Sequence, residues 1–176
     1  MTDTTTRMTR LKALAIISSL AFASLLGSSM AIITAQQPTT AYAQQQQSQA
    51  FTAKLSGKDE LPPVNTQATG MAQFQLSSDG KEINYDLTAT NLQGFMMAHI
   101  HQGKAGENGQ PVAPLSMGKG KITSSDLKGP LAGKQISDLV DLMKNGGAYV
   151  NIHTQQNQNG EIRGQIMSGT SSGGSQ

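Results

Sequence analysis

Ala72-Gln73-Phe74-Gln75-Leu76-Ser77-Ser78-Asp79-Gly80-Lys81-Glu82-Ile83-Asn84-Tyr85-Asp86-Leu87 reads as two alternating apolar runs joined by a tight turn. Ala72, Phe74 and Leu76 fall on one face, and Ile83, Tyr85, Leu87 and Ala89 resume the same period after the turn. Period two marks a half-buried strand, because successive side chains leave a strand on opposite faces. Asp-Gly between two such runs is a hairpin signal, since glycine takes a positive φ without steric penalty. The stretch therefore predicts an antiparallel pair.

The same reading extends in both directions. Upstream, Phe51, Ala53 and Leu55 alternate, and Pro62-Pro63 breaks the chain after that strand. Downstream, a strand is expected over Gly94 to His101, then a glycine-rich loop from Gly103 to Gly109, and short strands near Val112 to Leu115 and Lys119 to Ile122. Ile136, Leu139, Val140 and Met143 have helical spacing within residues 135–145, with Ser137 as the expected N-cap and Gly146 as the stop. Ala148 to Thr154 and Glu161 to Met167 read as two final strands around an Asn159-Gly160 turn. Many short strands, a turn signal about every ten residues and one helix predict an all-β fold. The expected architecture is an antiparallel, Greek-key-like β-sandwich or barrel with one short helix.

The ends differ in composition from this middle. Arg7, Arg10 and Lys12 precede an apolar stretch from Ala13 to Ala35, and Ala41-Tyr42-Ala43 precedes a glutamine run. A charged, then apolar, then small-residue order is that of a secretory signal. Residues 1–43 are expected to be a signal peptide cleaved after Ala43, followed by a glutamine-rich linker over 44–50, the domain over 51–167 and a Ser/Gly-rich disordered tail over 168–176. The apolar stretch is also long enough to span a bilayer, so membrane attachment follows if it is not cleaved.

Charge excludes one class of partner. Three of the thirteen basic residues and one of the eleven acidic ones precede Gln44, which leaves ten of each beyond it and no net charge. A neutral domain has no long-range field to gather phosphates, which argues against nucleic acid. The chain has no cysteine, so thiol catalysis, disulfides and zinc-finger sites are excluded.

The chemistry concentrates on the only three histidines. His99 and His101, in Ala98-His99-Ile100-His101, project from one strand face about 7 Å apart. His153 shares a face with Tyr149 and Asn151 in the Ala148 to Thr154 run, opposite Val150 and Ile152. Three imidazoles with an open position suit zinc, and imidazole also suits copper. Met97 lies on the face of His99 and His101 and is a possible extra ligand; core filling is the competing reading for it. The trio carries a geometric condition. Adjacent antiparallel strands would hold His101 and His153 at opposite ends, so convergence is expected only for strands running the same way or facing across a rim. Glu161 and Arg163 are expected to be structural, paired with each other or with a nearby loop. Asp59 and Glu60 are expected to be solvated turn residues. The Gly103 to Gly109 segment lacks the Gly-Lys-Ser/Thr of a phosphate loop and reads as a hairpin-type connection. No G-x-S-x-G and no carboxylate pair marks a catalytic constellation.

The order of segments resembles the CHRD (chordin-type) domain. The resemblance rests on Leu55-Ser56-Gly57-Lys58-Asp59-Glu60-Leu61-Pro62-Pro63-Val64, Thr69-Gly70-Met71-Ala72, Ala98-His99-Ile100-His101-Gln102-Gly103 with Gly106-Glu107-Asn108-Gly109, Gly147 to Thr154, and Gly160 to Ile166. It implies export and a β fold, and it assigns no activity. The His-x-His strand before a glycine-rich loop is locally similar to the copper-binding segment of copper–zinc superoxide dismutases. Those enzymes use six histidines and an aspartate, which argues against dismutase activity here. The leading expectation is an exported, non-enzymatic binding or cell-surface module holding one Cu or Zn ion on His99, His101 and His153, with an extracellular protein or glycan as the other candidate partner. A mononuclear metal-dependent enzyme and a structural envelope or matrix protein are the alternatives.

Overall fold

The Asp79-Gly80 hairpin forms as read in the computed structural model, which describes residues 49–169. Strands β1 (Ala50–Ser56), β2 (Thr69–Leu76) and β3 (Glu82–Thr90) make an antiparallel meander. β2 and β3 pair from Thr69↔Thr90 to Leu76↔Ile83, and Gly80 takes φ 70° in the turn between them. β4 (Phe95–Gln102), β5 (Pro111–Leu115) and β6 (Gly118–Thr123) follow. Helix α1 (Ile136–Lys144) leads into β7 (Ala148–Thr154), β8 (Ile162–Gln165) and the short β9 (Met167–Gly169). The expected signal peptide, the glutamine run before Gln49 and the tail beyond Gly169 lie outside the described residues.

Eight strands form one path in the order β5-β4-β7-β8-β1-β2-β3-β6, and β9 pairs with β1. Every pairing is antiparallel. β5 and β6 are the two ends of this path, yet only Ser116 and Met117 separate them in the chain. The sheet therefore curls back on itself into a nearly closed barrel, as strand twist favours. The Tyr85 hydroxyl, on β3, accepts from the Ser116 N–H across this seam. The all-β expectation with one helix holds.

The inner face carries the core. Ile83, Leu87, Ile100, Val112, Ile122, Val150, Ile152 and Ile162 are all fully buried. Each such side chain contributes about 1.5–3 kcal/mol on leaving water. α1 closes one end of the barrel with Ile136, Leu139, Val140 and Met143, the four positions its spacing marked. Its N-terminus differs from expectation. Gln135, not Ser137, is the N-cap, and Asp138 accepts from the Gln135 N–H, so the start is set two residues earlier by a capping box. Gly146 stops the helix at φ 62°.

Candidate metal centre

β4 and β7 are adjacent antiparallel strands whose inner faces, Ala98 and Ile100 against Val150 and Ile152, belong to the core. Alternation then sends Met97, His99, His101, Tyr149, Asn151 and His153 to the outer face. The register sets Met97 opposite His153, His99 opposite Asn151 and His101 opposite Tyr149.

This arrangement overturns the geometric condition placed on the trio. The strands are adjacent and antiparallel, with His101 and His153 four register positions apart, about 13 Å along the ladder. Their ring centroids nevertheless lie 5.9 Å apart, and each is 5.7 Å from His99. His99 stands midway, and the two outer imidazoles lean along the strands toward it, a diagonal approach that a twisted sheet permits. One ring nitrogen from each residue lies within 4.8 Å of the others. A zinc ion bound at about 2.0–2.1 Å needs each ring to close in by less than about 1 Å.

Tautomers follow from hydrogen bonding. His101 Nδ1 lies 2.9 Å from the Gly109 carbonyl, and His153 Nδ1 lies 2.9 Å from the Gln158 carbonyl. A carbonyl only accepts, so both Nδ1 atoms carry the proton and both Nε2 atoms present a lone pair. Those two Nε2 atoms are buried without a partner. Burial holds His101 down to about 4, and burial followed by the nearby His153 holds His99 below its usual value. His99 and His101 are thus neutral at pH 7, the state that binds metal.

The supporting layer is built from the loop between β4 and β5. Tyr149 is buried and stacks on His101 at 5.0 Å and 19°. The Arg163 guanidinium lies 3.5 Å from the other side of that ring, a cation–π contact. Arg163 also donates to Asn108 Oδ1 at 3.1 Å and to the Glu107 carbonyl at 2.7 Å. The Tyr149 hydroxyl accepts from the Gly109 N–H at 3.1 Å. Gly109 itself tolerates no side chain, because a Cβ there would collide with the Gln102 carbonyl. The loop is therefore fastened so that the Gly109 carbonyl fixes His101, the outer-layer arrangement typical of metal-binding histidines.

Two sequence expectations change. Met97 is 44% exposed, so it does not fill the core. Glu60 is 4% exposed rather than solvated, while its neighbour Asp59 stays at the surface with the Ser56 hydroxyl. Of the two pairings expected for Glu161 and Arg163, the one with a nearby loop forms: Arg163 donates to the β4–β5 loop, while Glu161 accepts from the Thr66 and Thr154 hydroxyls. Sequence reasoning passed over Tyr149, although alternation had already put it on the histidine face, and it offered no signal for the burial of Glu60.

Comparison with known proteins gives one family. The family model for the CHRD domain matches residues 51–166. Neither a curated protein nor a solved structure matches the chain.

Proposed function

The chain belongs to the CHRD-domain family, and from that premise we propose that it is an exported binding module holding one Cu or Zn ion on His99, His101 and His153. The observation that carries the reading is the cluster of three histidines, each with a ring nitrogen within 4.8 Å of the others, two of which also hold a buried, unpartnered Nε2. An unpartnered buried polar atom is costly, and a metal ion satisfies all three lone pairs at once. Export rests on the charged, apolar and small-residue order of residues 1–43.

Calorimetric titration of the full chain with Zn(II) and Cu(II) tests the site. One tight equivalent is expected, lost in both His99→Ala and His153→Ala. Binding that survives either substitution makes the histidines loop braces and removes the metal reading. Export has its own test: mature protein should begin near Gln44, and a mature N-terminus at Met1 or Thr2 overturns cleavage.

A further inference from the structure

We propose that Met97 completes this centre as a fourth, soft ligand and makes it a site for Cu(I), an inference that rests on the three-histidine reading above. Met97 sits directly opposite His153 in the β4–β7 ladder. Opposed residues on an antiparallel pair hold their Cβ atoms about 4.5–5.5 Å apart. Along β4 it shares the outer face with His99 and His101, because Ala98 and Ile100 between them turn into the core. It therefore borders the cluster beside His153 and His99, at the end away from His101.

Met97 is not part of the buried core. It is 44% exposed, on the outer face of a strand whose inner residues Ala98 and Ile100 are fully buried. Its three rotatable bonds let the thioether reach an ion held by the neighbouring rings without moving the backbone.

The donor set chooses the ion. The cluster offers imidazoles and no carboxylate, and the chain has no cysteine to supply a thiolate. No anionic ligand offsets the metal charge, and a monovalent ion loses less hydration than a divalent one on entering a partly buried site. A thioether beside imidazoles is a soft set that selects Cu(I), whereas zinc gains little from the sulfur. Met97 is thus the residue that separates the two metals.

The test uses the full chain and Met97→Leu, with Met96→Leu as the control. Met96 is the extra residue of a bulge, has the same 44% exposure and has no partner on β7. Cu(I) is held under anaerobic conditions and competed against a chromophoric Cu(I) chelator; Zn(II) is titrated separately. Met97→Leu should weaken Cu(I) binding at least tenfold and leave Zn(II) binding within twofold, while Met96→Leu changes neither. The Met97 Cε-methyl NMR resonance should shift on adding Cu(I) and stay in place on adding Zn(II). Unchanged Cu(I) affinity in Met97→Leu, or equal losses in both methionine variants, overturns the inference and leaves the three-histidine centre standing. Absence of binding by any metal in the unsubstituted chain removes the centre itself.

Discussion

Glu60 Oε1 and Asn151 Oδ1 are two buried acceptors without partners that close on the same glycine. A methyl group on Gly160 would fall 2.5 Å from Asn151 Oδ1 and 2.6 Å from Glu60 Oε1. The only bond between the two side chains is a long one, Asn151 Nδ2 to Glu60 Oε2 at 3.5 Å. A proton on Glu60 turns one of the two acceptors into a donor. Burial pushes the Glu60 carboxyl up to about 7, against the pull of the Arg163 charge. The turn before Pro62-Pro63 is thereby clasped to the strand that carries His153.

The clasp predicts a stability that falls with rising pH. Glu60 binds its proton more tightly in the folded state, so its contribution is complete below about 4.5 and is lost as pH rises through about 7. The loss is on the order of 2–3 kcal/mol for a carboxyl this buried. Glu60→Gln mimics the protonated form, and its urea midpoint should lack this decline between pH 4.5 and 8. A Glu60→Gln profile that keeps the full decline assigns it to another group.

His101 works in the opposite sense. Its folded value of about 4 lies below the ordinary 6.5, so its contribution is present above 6.5 and lost as pH falls through 4. Metal-free Glu60→Gln should therefore lose stability on the acid side as pH falls from 6.5 through 4, with His99, also held below its usual value by burial, adding in the same direction. Adding His101→Gln to that variant should reduce this loss. A bound metal ion should push the acid-side loss to lower pH, because protons and metal compete for the same lone pair.

Gly160 offers a second handle on the clasp. Its φ of 132° and the two oxygens in front of it leave no room for a side chain. Gly160→Ala should cost roughly 2–4 kcal/mol, combining backbone strain with displacement of Glu60 and Asn151. The same substitution at Gly80, which has φ 70° and open space around it, should cost only about 1 kcal/mol. Equal unfolding midpoints for the two variants would falsify the close approach at Gly160.

Local pattern accounts for what was legible. The β2–β3 hairpin, the apolar stripe of α1 and the shared face of His99 and His101 follow from periods that a short window contains. Convergence of His101 with His153 did not, because register alone separates them and the gap is closed by side-chain lean on a twisted sheet. Met97 was ambiguous for a related reason: alternation names a face but not whether another layer covers it. Glu60 was misread because a turn residue's burial depends on what packs over the turn, here Asn151 and Gly160, about ninety to a hundred positions later in the chain.

The remaining prediction concerns Arg163, which touches no histidine but holds the loop that orients His101. Its guanidinium carbon lies over the Tyr149 ring, and its nitrogens fork to Asn108 and the Glu107 carbonyl. A lysine keeps the charge, loses the planar fork and stacks less well. Arg163→Lys should leave the chain folded and weaken metal binding about 10–100-fold, the usual range for an outer-layer partner. Amide exchange in residues 104–109 should speed up, because the carbonyls of Lys104 and Glu107 lose their shared donor. If metal affinity drops while exchange in that loop stays slow, Arg163 acts on the centre by its charge rather than by fastening the loop. Retained affinity with fast exchange would mean that His101 is held by Tyr149 and Gly109 without help from the fork.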